Sequence, residues 1–335
     1  MIGEKNMEKI LSISVAAYNV EQFIVQNIES FLGTSVSSKI EVLIIDDGSK
    51  DCTAQIVKEY EMKYPEIIKL IHQENSGPGS TVNNGIQHAN GKYFRMVDGD
   101  DWVNTNDLEN YIHFLENNDV DVVYTDYYMV DNNTNEKVLQ HLSYSKKNCV
   151  LNYDDVCDQI DVEMHNVTYK TTILQKNSIV LDNCFYTDLE YLLLPVKYLK
   201  TIAVLDCAIY MYRVSLSTQS ININSMIKNK KMHEKVLQRL ISDYSNSVSK
   251  GLLSKSQKQF IKNRIVKMAG THLSIILAQK ASRDTKNELL QFANYLKLTN
   301  VDVFNQFMKF RTMKILKATR YLTFKIISDF HRKKQ

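Results

Sequence analysis

Three apolar runs near the start of the chain each stop abruptly at a polar cluster, and this repetition limits the folds open to it. Leu11 to Ala17 is small and β-branched and ends at Tyr18-Asn19. Glu41 to Ile45 ends at Asp46-Asp47-Gly48-Ser49, and Tyr93 to Val97 ends at Asp98-Gly99-Asp100-Asp101. Between them apolar residues recur at helical spacing, as in Phe23, Ile24, Ile28, Phe31 and Leu32, and again in Ile56, Val57 and Tyr60. Ile67 to Ile71 reads as a further strand, Gly77-Pro78-Gly79-Ser80 as a loop opening a helix, and Val120 to Val130 as a long strand after a helix near 106–116. Strands that are apolar throughout are buried on both faces. The alternation therefore predicts an α/β fold, a mainly parallel sheet covered by helices. In such sheets ligands bind beyond the carboxyl ends of the strands, where all three polar clusters fall.

The last cluster carries the sharpest chemistry. Asp98, Asp100 and Asp101 repel one another unless a positive charge lies among them. Hard carboxylate ligands in small number suit Mg²⁺ or Mn²⁺ and leave positions open for phosphate oxygens. Asp and Gly are also ordinary turn residues, so this fragment alone reads more readily as an acidic turn. An EF-hand is excluded, because Val103 stands where its glycine is needed. Two other phosphate cradles are missing. No G-x-x-x-x-G-K-[ST] occurs, and Gly77-Pro78-Gly79 meets Val82 where G-x-G-x-x-G needs its last glycine.

Bulk properties add bounds. With 335 residues, 44% hydrophobic and 24% charged, the chain has material for two domains. We place them at 1–220 and 221–335, because beyond Ser220 long segments of helical period run to the end. A net charge of +3 does not indicate nucleic acid as a partner. The five cysteines form no C-x-x-C pair and no zinc spacing, which fits a reducing cytoplasm. No signal-peptide segment and no run of ~18 apolar residues is present, so no transmembrane helix is expected.

Taken in order, Val15-Ala16-Ala17-Tyr18-Asn19-Val20-Glu21, Ile44-Ile45-Asp46-Asp47-Gly48-Ser49, Glu74-Asn75-Ser76-Gly77-Pro78-Gly79, Asn83-Asn84-Gly85 and Asp98-Gly99-Asp100-Asp101-Trp102 resemble family 2 glycosyltransferases of bacteria. The likeness covers roughly residues 10–130 and continues more weakly to about 220. It implies the Rossmann-like GT-A fold and a nucleotide-diphosphate sugar, such as a UDP-sugar, as donor. By the same resemblance Ala17, Tyr18, Asn19 and Glu21 would line the nucleoside pocket, and Asp46 would accept a hydrogen bond from the base. Asp98 and Gly99 would lie near the ribose, and Asp100 would hold Mn²⁺ or Mg²⁺ on the diphosphate, with Asp98 and Asp101 as further metal candidates. Asp188, in Tyr186-Thr187-Asp188-Leu189-Glu190, falls on the family's downstream acid and is the candidate base for an inverting transfer. It also reads as a first-turn acid favoured by a helix dipole, with Glu190 its solvent-facing neighbour.

Departures from the pattern matter as much. Thr187 replaces a glutamate, and Val82 replaces an arginine that would aid the diphosphate. Lys92, Lys170 or Arg213 would have to supply that charge. Tyr210-Met211-Tyr212-Arg213, with Ser215 and Ser217, resembles the segment that closes on the donor phosphates, where an arginine binds bidentately. The Gln-x-x-Arg-Trp signature of processive enzymes is missing, since Trp102 is the only tryptophan, which points to transfer of one residue. His165 is a candidate metal ligand or acceptor contact, although a lone histidine more often only packs.

The end of the chain, from Phe307 to Lys334, interleaves Lys309, Arg311, Lys314 and Lys317 with Phe310, Met313 and Leu316, and carries Asp329 as its single acid. A basic amphipathic helix of this kind either lies on an anionic membrane surface or packs on the domain with a solvated basic face. The expectation is an inverting, metal-dependent glycosyltransferase of the cytoplasm, peripheral to the membrane, acting on a glycan, cell-wall polymer or lipid-linked acceptor. The alternative is a non-catalytic sugar-nucleotide or glycan-binding protein that kept the fold.

Overall fold

The computed structural model describes residues 9–216 and 223–333. They form two compact units, divided in sequence after Leu216. The boundary expected at residue 220, and Ser217 with it, lie outside the described residues.

The first unit opens with β1 (Leu11–Ala17), α1 (Ile24–Glu29), β2 (Ile40–Asp46), α2 (Thr53–Lys63), β3 (Ile68–His72), α3 (Pro78–His88) and β4 (Tyr93–Asp98). β1 pairs in parallel with β2 on one side and β4 on the other, and β2 pairs in parallel with β3. The registers Ala17↔Asp46, Ala16↔Asp98 and Asp46↔His72 bring the strand ends together on one edge. Leu11, Ile13 and Val15 are buried, as are Val42 to Ile45, because helices cover both faces. Pro78 starts α3, a position where its missing N–H costs nothing, and the preceding Gly77 has φ +90°.

Beyond β4 the sheet becomes mixed. β5 (Trp102–Val103), α4 (Thr105–Asn117), β6 (Val122–Asp131), β7 (Lys137–Gln140), β8 (Val150–Asn152), β9 (Val167–Lys170), α5 (Thr171–Lys176), α6 (Asp188–Leu193) and β10 (Thr201–Val214) complete the unit. The main strand order is β3-β2-β1-β4-β9-β6-β10-β5. β9 runs antiparallel to both β4 and β6, and β6 and β10 are parallel. Only the first half of the sheet is thus uniformly parallel. The hairpin between β6 and β7 is too short for a crossover, so its strands pair antiparallel. An apolar run carries no mark of its direction, which is why the antiparallel placement of β9 was not foreseen.

The second unit is helical: α7 (Ile223–Lys228), α8 (Lys230–Ser249), α9 (Lys255–Ala278), α10 (Arg283–Thr299), α11 (Val301–Phe307), α12 (Arg311–Ala318) and α13 (Phe324–Lys333). α9 is its centre, with Ile261, Ile265, Met268, Leu273 and Ile276 buried. Ser254 and Ser282 each form a capping box that fixes where α9 and α10 begin. The expected basic helix at the chain end is broken. Arg320 and Tyr321 adopt φ +50° and +61°, and the Tyr321 N–H donates back to the Leu316 carbonyl at 2.7 Å, a helix stop that usually uses glycine. Met313, Leu316 and Phe324 are buried, whereas Leu322, Ile326 and Phe330 remain exposed.

Candidate active site

The acidic loop grows directly out of β4. The Gly99 N–H donates to the Ala16 carbonyl at 2.9 Å, and a Cβ at Gly99 would stand 2.8 Å from that oxygen, so only glycine fits. One turn of chain gathers carboxylate oxygens of Asp98, Asp100 and Asp101 within 4.8 Å of one another. Burial raises all three carboxyls, and together with the charges of Asp100 and Asp188 it brings Asp98 to about 7.

Asp101 differs from the other two. It is buried, and both its oxygens are engaged: Oδ2 accepts from the Tyr210 hydroxyl and Oδ1 from the Arg213 N–H, each at 2.7 Å. The Tyr210 hydroxyl oxygen also accepts from the Asp98 N–H at 3.1 Å. Asn27 Nδ2 donates to the Asp101 carbonyl at 2.8 Å from the other side. Asp98 and Asp100 therefore carry the more open oxygens. A hard divalent cation fits this donor set, because it would offset the cost of burying these carboxylate charges and the repulsion felt by Asp98 and Asp101.

Arg213 braces the same loop. Nε donates to the Asp100 carbonyl at 2.7 Å, Nη2 to Gln26 Oε1 at 2.6 Å and Nη1 to Asn132 Oδ1 at 3.1 Å. Its guanidinium lies 4.7 Å from the ring centroids of both Phe23 and Trp102. These are strong, oriented partners, and they point the fork at protein groups. Lys92 and Lys170 are at the wrong end of their strands to replace the missing arginine. Lys92 donates to the carbonyls of Leu115, Glu116 and Asn118, and Lys170 pairs with Asp119 at 2.6 Å.

The ends of β1 and β2 form the neighbouring wall. Tyr18 is 49% exposed. Asn19, at φ +53°, accepts the Lys50 N–H at 2.7 Å, and Glu21 accepts the Cys52 N–H at 2.8 Å, so both side chains lace the loops together. The Ala17 carbonyl accepts the Asp47 N–H at 2.9 Å. Asp46 is fully buried. Its Oδ2 lies 2.6 Å from His72 Nδ1, and its Oδ1 accepts the Ser49 N–H at 3.3 Å. Asp47 clamps the glycine loop by accepting from Gln73, Ser76 and Gly77 at 2.7–2.9 Å.

Asp188 opens α6, half-buried, with its carboxyl pushed up to about 6 by burial and then by the Glu163 charge. Its charge acts on Asp98 in turn, so the candidate base and the acidic loop share one electrostatic environment. α6 is held against the glycine loop: a Cβ at Gly79 would stand 1.8 Å from the Asp182 carbonyl and 3.2 Å from Thr187 Cγ2.

The family model described as glycosyl transferase family 2 matches residues 12–186. The chain belongs to that family. Its relatives include the uncharacterized glycosyltransferase EpsJ of Bacillus subtilis, 29% identical over 218 residues that make up 62% of each chain. Another is the minor teichoic acid biosynthesis protein GgaB of the same organism, 30% identical over 143 residues, 42% of this chain and 16% of that one. The chain thus matches less than two thirds of the length of these relatives. Among solved structures, S. aureus TarS 1–349 in complex with UDP-GlcNAc superimposes with a TM-score of 0.64 at 18% identity, covering 97% of this chain and 92% of that one. That likeness establishes the GT-A fold.

Within this family-2 framework several residues behave differently from their sequence reading. Glu190 is fully buried, not solvent-facing, and accepts the Asp182 N–H at 2.7 Å. Val82 is buried on α3, and Thr187 is buried before α6. His165 lies outside the acidic cluster, its ring 4.3 Å from Tyr212, 4.7 Å from Tyr210 and 5.0 Å from Tyr127. Burial and then Arg95 hold its imidazole down to about 3, so it packs as a neutral ring. Arg95 itself was missed. It is fully buried in β4, donates to Thr168 at 2.9 Å and to the His165 carbonyl, and sits 5.8 Å from the Tyr210 ring. A lone arginine inside an apolar strand was the available signal. His72 left none, because its contact with Asp46 exists only once β3 is placed beside β2.

Proposed function

We propose that the protein is an inverting, metal-dependent glycosyltransferase that moves one sugar from a nucleotide-diphosphate sugar to an acceptor hydroxyl. The observation that carries this reading is the clustering of Asp98, Asp100 and Asp101 where β4 leaves the sheet, with the Asp188 charge acting on Asp98. Asp100 and Asp98 would hold Mn²⁺ or Mg²⁺, which supplies charge stabilisation for a departing diphosphate. Tyr18, Asn19, Glu21 and Ala17 would line the nucleoside pocket, with Asp46 buried at the end of β2. Asp188 takes the proton of the acceptor hydroxyl. The acceptor oxygen then bonds to the anomeric carbon, the bond from that carbon to the diphosphate oxygen breaks, and the configuration inverts. Asp101, Tyr210 and Arg213 keep the loop in place during this exchange.

A UDP-sugar is the donor we favour, by analogy with the UDP-GlcNAc complex of TarS. A glycan, wall-polymer or lipid-linked acceptor is favoured by the teichoic acid name of GgaB. No helix among the described residues is long and apolar enough to cross a membrane. We place the protein at the cytoplasmic face of the membrane, held by Leu322, Ile326 and Phe330 beside Lys325 and Arg332.

The test is release of nucleoside diphosphate from a panel of sugar nucleotides, with Mn²⁺, with Mg²⁺ and with chelator. We expect release from one donor that requires the metal and rises with acceptor. Nucleotide binding with no release from any donor would instead favour the binding-protein reading.

A further inference from the structure

The carboxylate expected to read the base is not open to it. Asp46 is fully buried, one oxygen is held by the Ser49 N–H, and the other lies 2.6 Å from His72 Nδ1. The His72 side chain, by contrast, is 63% exposed. Register explains the pairing, since Asp46 and His72 are opposite residues at the carboxyl ends of β2 and β3. The strand order β3-β2-β1 also puts exposed Tyr18 on the other side of Asp46. A buried acid is thus flanked by two exposed rings, at the edge where the nucleoside is expected.

We infer that His72 is the residue that reads the nucleobase, and that Asp46 acts through it as a positioning residue. This rests on the nucleotide-sugar reading above. A carboxylate only accepts, so Nδ1 carries the hydrogen that joins the ring to Asp46. In the neutral ring Nε2 is then left as an acceptor, and the carboxylate fixes both the tautomer and the ring orientation. An acceptor at this point selects a base that presents a ring N–H. Uracil does so at N3. Cytosine has a bare acceptor at N3, so the same geometry sets two lone pairs against each other. The site therefore separates uracil from cytosine by way of one N–H···Nε2 hydrogen bond.

The test is calorimetric titration of the full chain in Mn²⁺ with UDP, CDP and UDP methylated at N3. Inorganic pyrophosphate serves as a probe of the metal end alone. The wild type should prefer UDP over CDP and over the methylated analogue by about tenfold or more, the scale of one hydrogen bond with its unmet partner. In His72→Phe, UDP affinity should fall by about tenfold and the UDP/CDP ratio should approach one, with pyrophosphate binding unchanged. His72→Gln, which keeps a polar tip without the fixed tautomer, should also lose the preference. Retention of the wild-type UDP/CDP ratio in His72→Phe overturns the inference and leaves the nucleotide-sugar reading standing. Failure of the wild type to bind any nucleoside diphosphate overturns both.

Discussion

The Tyr210 hydroxyl stands between the first and last carboxylate residues of the acidic loop, donating to Asp101 Oδ2 at 2.7 Å while accepting from the Asp98 N–H at 3.1 Å. One hydroxyl on β10 thereby sets the spacing of a loop that belongs to β4. Tyr210→Phe should leave buried Asp101 short of a donor and destabilise the protein by about 1–3 kcal/mol. It should also weaken Mn²⁺ binding. Urea denaturation and a Mn²⁺ titration of the same variant check both, and unchanged metal affinity would show that the loop keeps its shape without the strut.

Asp100→Ala should abolish metal-dependent nucleotide binding. The Asp98 carboxyl, raised to about 7 by burial and by the Asp100 and Asp188 charges, adds a pH signature. As pH falls through about 7 it takes up a proton, and proton and metal compete for the same oxygen. Mn²⁺ affinity should therefore weaken on acidification. Nucleotide binding by Asp100→Ala that still needs Mn²⁺ would remove the metal assignment.

Asp188→Asn should keep donor binding and slow transfer by ~10²-fold or more, the scale of a lost general base. The base works ionised, and its carboxyl sits at about 6. The rate should therefore fall as pH drops through about 6, and this acid limb should vanish in the variant. Full activity in Asp188→Asn excludes it as the base.

The helical unit has its own pH dependence. His233 and His272 stack with Nδ1 atoms 3.2 Å apart, and burial holds them down to about 4 and about 3. Unfolding returns both toward ~6.5. Below that value the unfolded chain binds more protons than the folded one. The stability is thus complete above pH ~6.5 and is lost as pH falls toward about 4 and about 3. Hydrogen exchange of α9 amides between pH 7 and 5 should show this slope. In His272→Gln the slope should shrink, and an unchanged slope would place the titration elsewhere.

For the chain end, deletion from Phe307 is a poor probe, because Phe307, Met313 and Leu316 are buried and their loss opens the helical core. Ile326→Glu with Phe330→Glu alters exposed positions one turn apart on α13. The pair should reduce pelleting with anionic vesicles while leaving thermal stability unchanged. Equal pelleting of wild type and variant would leave the tail without a membrane role.

What the residues declared in advance was the parallel half of the sheet. β1, β2 and β4 announce themselves as apolar runs, and their polar ends named the edge where the candidate site lies. Beyond β4 the reading thinned, because short strands such as β9 pair by topology and not by composition. Side-chain direction was also hidden. The donors of Arg213 suit a phosphate or a carbonyl equally, and only the fold turns them to Asp100, Asn132 and Gln26. Asp46 looked like an open acceptor for the same reason, until β3 brought His72 onto it.

β4 is parallel to β1 on one side and antiparallel to β9 on the other, so the acidic loop lies on the seam between two differently built half-sheets. The half up to β4 carries Tyr18, Asn19 and Asp46 at its strand ends, and Tyr210, Arg213 and Asp188 come from the chain beyond it. A ligand seated on the loop must therefore span the seam. On the reading proposed above, the later half would meet the acceptor and the earlier half the donor, with the loop as the fixed coordinate against which both are measured.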